Sequence, residues 1–558
     1  MTPDNRKVLK YQGHRIFLVL VLCLFGLFLV SSFAAPGKKK KRPKTDERIH
    51  LVNSRELYHD IRGAHPDADI VKGNVHFTHA GSDLWCDSAY FYKESNSCRA
   101  FGNVRYKQGD TLTLTCHYAD YDGMEQMMHA RHDVWLHHRT QKLHTDSLDY
   151  DRLNNEAYFY DGGRLIDNKD ILDADWGEYH SDTREAVFYY NVKMTTPKQR
   201  VVTDTLFYDT RKQLAHVTGP SKVYSGDNVI NTQDAWLNSK TDKSQLFGRS
   251  TIVNGEKSIV GDSIFHDNKT GLNEGFGNVV YIDTKNQNEL DCDHLYYNDK
   301  TGNGYATRRA LVKDFSQKDT LYMHADSIKI YTYNIETDSV YREVHGFPHV
   351  RAFRTDVQAV CDSFVYNSKD SCLTMYRDPI VWNDNRQLLG EVIRVYNNDS
   401  TIRYAEIVGQ ALSVEKADEK NHYNQLSSKV MKAYFIDGAL RETESIGNVK
   451  SIYYFSDDKD SVLTEHNYME GDTLRAFIST ERKLEKMWTS SPTGTMYPIT
   501  QIPADKLKLP EFSWFADLRP LDKDDIFVWR GKNEGQKLKE QPRIEAPLQH
   551  IGEKKSLK

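Results

Sequence analysis

Aspartates recur through this chain at nearly fixed intervals: Asp87, Asp146, Asp175, Asp204, Asp262, Asp293, Asp326 and Asp362. A row of carboxylates could bind cations, but acid–base catalysis needs two carboxyl groups flanking one reacting bond, not an even ladder. Aspartate bonded to backbone at repeated bends explains the row more simply. Histidines gather at His129, His132, His137, His138 and His144. A zinc ion needs ligands converging tetrahedrally, whereas strand-borne residues at these offsets face opposite ways, so they read as solvated side chains. Cys86, Cys116, Cys292 and Cys361 share one repeat position, and Cys98 with Cys372 another. They read as small buried thiols. A Cys86–Cys116 bridge would require repeat units one strand spacing apart, and two spacings would forbid it. GxSxG, HExxH, P-loop and CxxC motifs do not occur, and Gly275-Phe276-Gly277 lacks the third glycine of a dinucleotide fingerprint. The sequence therefore suggests no enzyme and assigns no catalytic residue, metal or cofactor.

The elements that would position these residues are strands. Only Pro197, Pro220, Pro348 and Pro379 fall between Asp67 and Ser491, a stretch rich in Tyr, Thr, Val, Asp and Asn. Within it a nonapeptide, LWCDSAYFY at 84–92, returns as LHTDSLDYD (143–151), VVTDTLFYD (201–209), LDCDHLYYN (290–298) and AVCDSFVYN (359–367). The period is about thirty residues. Each unit reads as a strand x-D-x-[ALI]-x-[YF], a polar hairpin turn, and a second strand carrying Gly-Asn-Val, as at Gly73, Gly102, Gly277 and Gly447. Pro220, Pro348 and Pro379 replace that triplet elsewhere, which marks a bend or bulge. Strict alternation places Asp87, Ala89 and Phe91 on one face and Cys86, Ser88 and Tyr90 on the other, and the more uniform first face is taken as interior. Each unit then contacts only its neighbours, in a thin, extended all-β array.

The organisation expected is a signal peptide or N-terminal anchor over 1–34, a basic linker over 35–47, the array over 48–480, a non-repeat capping segment over 481–530 and a disordered tail over 531–558. Arg6, Lys7, Lys10 and Arg15 precede the apolar run Ile16–Val30, and Ser31 to Ala34 supply small residues for cleavage. Ile16–Phe33 could also just span a bilayer as an anchor. With 74 Lys+Arg against 79 Asp+Glu and a net charge of −5, no general nucleic-acid partner is expected. The basic stretch Lys38–Lys44 could touch an anionic membrane surface.

The order DIVKGNVHF, LWCDSAYFY, RAFGNVRY and DTLTLTCHYADYDG resembles the OstA/LptA family of periplasmic lipopolysaccharide-transport proteins, a resemblance that covers roughly residues 48–480 and is most specific over 70–135. The resemblance implies an elongated, open-ended β-jelly-roll with an apolar, trough-shaped interior. It also implies lipopolysaccharide as ligand, held by its lipid A acyl chains and carried toward the outer membrane. Other transport components would dock edge to edge at the open ends, in the periplasm. The groove candidates are the apolar residues of the uniform face: Ala89 and Phe91, Leu148 and Tyr150, Leu206 and Tyr208, Ile264, Leu295 and Tyr297, Phe364 and Tyr366. The rival expectation is an exported β-solenoid that binds glycans or acts as an adhesin, with aromatic and acidic residues on an outer face.

Overall fold

The structure is a computed structural model that describes residues 48–398, 401–457, 462–481 and 484–530. The expected signal segment, basic linker and C-terminal tail lie outside the described residues. Among the described residues no helix is long and apolar enough to cross a membrane.

The architecture is all-β, an elongated jelly-roll-like array in which 38 strands among the described residues form one antiparallel sheet. Eighteen strands are continuous and ten pairs are half-strands interrupted at a bend, giving 28 rungs that follow one another in chain order. Two rungs make one repeat unit. At about 4.8 Å per strand the array is on the order of 130 Å long.

The rungs bend near their middles, and on alternate rungs two successive left-handed residues are the device: Gly-Asn at Gly73, Gly102, Gly277 and Gly447, and other pairs such as His132-Asp133 and Arg308-Arg309 elsewhere. Lys72 pairs with Ser88 and Val75 with Cys86, so Gly73 and Asn74 stand opposite the single residue Asp87. Gly102 and Asn103 have φ of 71° and 43°, and Gly277 and Asn278 have 72° and 45°. Two successive left-handed residues turn the strand, and glycine followed by asparagine is the pair that adopts them most readily. Position matters as much as conformation, because a Cβ on Gly102 would lie 2.5 Å from the Asp87 carboxylate. The corner asparagine then donates to the acid of the preceding rung: Asn103 to Asp87 (2.8 Å), Asn191 to Asp175 (2.6 Å), Asn278 to Asp262 (2.9 Å).

The bend corrects the expected faces. Cys86 and Leu84 are buried together with Ala89 and Phe91, while Asp87 is exposed. The corner shifts the alternation by one residue, so the interior face runs 84, 86, 89, 91 rather than 87, 89, 91. The aspartate ladder therefore lines the outer edge of the bend. In other rungs register places His117, Gln233 and Lys429 at the corner instead of an aspartate. Cys372 also departs, because Leu373 rather than Cys372 faces Tyr366 in the register where Cys98 faces Phe91.

Bending divides each rung into two walls that share one core. The first cluster runs without a break from Ile49 to Ile264, and a second from Val279 to Met431, with Ile259 packed against both. The sheet also continues past residue 480. Leu484–Ser490 and Thr493–Pro498 both pair with Leu463–Ile478 as a final rung. Being an exposed edge, that rung keeps little of the buried pattern.

From Ile499 the chain turns back as a strap over the outer side of the first wall. Three buried glutamines on that wall grip it. Gln425 accepts from the Leu509 N–H (2.8 Å) and donates to the Leu507 carbonyl (3.1 Å). Gln387 does the same with Phe515 and Ser513, both at 2.8 Å. Gln358 accepts from Arg519 Nε (2.6 Å). Phe512, Trp514, Phe515, Leu518 and Trp529 cover Val360, Ile380, Trp382, Leu389 and Leu412. At its far end Asp525 pairs with the fully buried Arg351 (3.1 Å) and with Arg530. Burial pulls the Arg351 guanidinium down to about 10.

Candidate functional site

The inner face changes character along the array. In the first half its side chains are sealed off. Leu114, Leu148, Leu172, Val201 and Leu206 are fully buried. Sealing is the work of tyrosines that end the second wall and reach across to the end of the first. Tyr121 OH meets His79 Nδ1 at 2.7 Å, Tyr150 donates to Gln108 Oε1 at 2.8 Å, and Tyr179 OH meets His138 Nδ1 at 2.7 Å. Tyr208 contacts Asp167 (3.2 Å) and Asp170 (2.9 Å). Each phenol buries its ring in the core and satisfies its hydroxyl at the margin, the amphipathic use that tyrosine favours. Gln108 with Asn155, Ser239 with Asp170, and Lys198 with Asp242 add further ties across the margins.

The latching series stops after Tyr208. Register places Leu237 and then His266 where the next tyrosines would stand. From Ile252 onward the inner face is half-exposed at mid-wall, at Ile259, Tyr281, Leu290, Val312, Met323, Val344, Leu373 and Val395 among others. Residues beside the bend stay buried there, as with Val279, Cys292, Ala310, Ala325 and Cys361. A packed vertex under half-exposed walls means that solvent reaches the inner face between their margins in this half.

This placement divides the groove candidates. Ala89, Phe91, Leu148, Tyr150, Leu206 and Tyr208 lie in the latched half, and Tyr150 and Tyr208 are themselves latches. Ile264 and Phe364 are buried near the bend, whereas Leu295, Tyr297 and Tyr366 are half-exposed on the separated walls. Sequence reasoning missed the latch partners, although His79, Gln108, His138 and Asp167 recur with the same spacing as the tyrosines. It also missed Ile252, Ile259, Leu290 and Val312, which differ from buried counterparts only in what closes over them.

Residues 46–204 match the family of OstA-like proteins. No curated protein matches the chain. The OstA-like segment coincides with the latched rungs, and the same corner, register and inner face continue beyond it to the final rung.

The other polar clusters fall elsewhere. His129 pairs with Asp149 (2.9 Å), His144 with Asp133 (2.9 Å), and His138 is taken up in a latch, so these rings point to different faces. Among the described residues no group of three or more His, Cys, Asp or Glu is placed to hold a metal ion. The six described cysteines are buried, and none of them is in a disulfide. Cys86 and Cys116 lie on strands separated by the strand Ser97–Gln108, hence two spacings apart. A cavity of about 640 Å³ sits on the outer side of the bend between Asp133, Asp146, Arg164, Asp173 and Lys193. Most of the residues that line it are charged or polar.

Proposed function

We propose that this protein is an exported, periplasmic lipopolysaccharide-binding protein whose inner face forms an apolar trough carrying lipid toward the outer membrane. The observation that carries the reading is the inner face beyond Ile252, where apolar side chains line both walls and remain half-exposed. Each acyl CH₂ costs about 0.8 kcal/mol in water, so a chain of about a dozen carbons costs on the order of 10 kcal/mol to expose. A long apolar surface repeated every rung offsets that cost at every step along its length. The OstA-like segment supports the same reading, since the family is one of lipopolysaccharide transport. No chemical step is needed, and directional movement draws its energy from partners.

Those partners are other transport components that add strands at the ends of the array. The last rung offers inward-facing Met487 and Met496, both about half-exposed, and the first offers Leu57. Unpaired strand edges with flexible apolar side chains suit docking by strand addition. The glycan-binding alternative has less support. The outer aromatics stack on one another, as with His216 and Trp236 (4.0 Å, 6° between planes) and Phe276 and His294 (4.6 Å, 9°). Rings so stacked present edges rather than faces to a sugar.

Depletion of the protein from cells tests the reading. Lipopolysaccharide should accumulate at the inner membrane. Normal delivery to the outer surface in depleted cells would reject it.

A further inference from the structure

The charges at the margins of the separated walls are distributed in a way that the latched half does not share. Arg342 alternates with Val344 and Gly346, so its side chain lies on the inner face at the end of the second wall. It is exposed, and its guanidinium makes no hydrogen bond or ion pair among the described residues. Tyr281 on the first wall and Tyr297 on the second both lie within its electrostatic reach. Lys257 ends the first wall in the same stretch, exposed and near Asp283. An unpaired guanidinium above an apolar cleft complements an anionic group attached to acyl chains.

We propose that acyl chains of an anionic amphiphile occupy the inner face only from Ile252 to Val395, with Arg342 and Lys257 holding its charged head, and that the latched rungs carry none. This rests on the lipid reading above and deepens it by locating the ligand. The latched half has no room: its inner side chains are buried against each other, and inserting a chain there would break each latch it passed. In the separated half the walls already stand apart, and half-exposed Leu290, Tyr297 and Val312 gain burial when a chain lies against them. The first half then serves as a stiff stem for the binding half.

Hydrogen–deuterium exchange on the unmodified full chain, with and without lipopolysaccharide, locates the ligand without any substitution. Added protection should appear in Lys257–Asp267, Asn288–Asn298 and Ser363–Asn367, and not in Leu112–Asp122 or Gln141–Asp151. Equal protection in the latched strands would overturn this localisation while leaving the lipid reading intact. No protection anywhere, together with no binding, would overturn both. Arg342→Ala should weaken lipopolysaccharide binding about tenfold and leave binding of an uncharged alkyl glucoside unchanged. Equal loss for both ligands, or loss for neither, would overturn the role given to Arg342.

Discussion

At the residue scale, the latches are the interactions whose loss is easiest to read. Tyr208 donates one proton between two buried carboxylates; Asp167 also accepts from Gln141, Asn168 and Thr140, and Asp170 from Ser239. Tyr208→Phe leaves that polar pair short of a donor and should cost about 1–3 kcal/mol, measured as a lower urea midpoint. His138 gives a pH signature. Burial, with Arg139 and Arg184 nearby, lowers its pKa below 6.5, against a smaller opposing effect of Asp182. The unfolded chain therefore binds a proton at a pH where the folded latch does not. The contribution is complete above pH 6.5 and is lost as pH falls through the lowered value. Glutamine already accepts the equivalent tyrosine at Gln108, so wild type should lose stability relative to His138→Gln between pH 7.5 and 5. A pH-independent difference between the two would contradict the assignment. The thiols give a third test. Burial pushes Cys86, Cys116 and Cys292 up to about 12. Alkylation of the folded protein at pH 8 should therefore be negligible and become complete in denaturant, as read by mass spectrometry.

At the element scale, the corner decides the fold. Gly102→Ala forces an alanine to φ of 71° and drives its Cβ into Asp87, so a loss of about 1–3 kcal/mol is expected. Asp87→Ala in the same chain should recover part of it by removing the clash. The Gly-Asn-Val signature made a bend legible from sequence, and the aspartate period gave the repeat. The phase slip was not legible, because strict alternation carried through Asp87 puts Cys86 on the wrong face. Only the two left-handed residues on the neighbouring rung show where alternation restarts. The strap was legible merely as a segment without repeats. Its grip depends on Gln358, Gln387 and Gln425, which lie on the outer side of strands and have no signature of their own. Asp525→Ala would leave Arg351 charged and buried, and should weaken strap docking by about 3 kcal/mol. Limited proteolysis should then cut within Ile499–Arg530 first.

At the scale of the whole molecule, the array has a closed half and a separated half built from the same rung. The difference is invisible in the inner-face residues, since Leu143 and Leu290 stand at one register position with opposite exposure. It lies in the margins, where Tyr121, Tyr150, Tyr179 and Tyr208 give way to Leu237 and His266. Hydroxyls that tie two walls together can be read from sequence only when both members of the pair are read together. The continuous register makes the described strands one array whose length sets reach rather than domain number.

Native mass spectrometry of the full chain purified from cells in a mild detergent reads directly whether the separated walls hold lipid. Protein carrying lipopolysaccharide mass is expected, with that mass lost on Leu290→Asp with Tyr297→Asp while the fold is retained by circular dichroism. Protein that is lipid-free as isolated and stays so after incubation with lipopolysaccharide would contradict it.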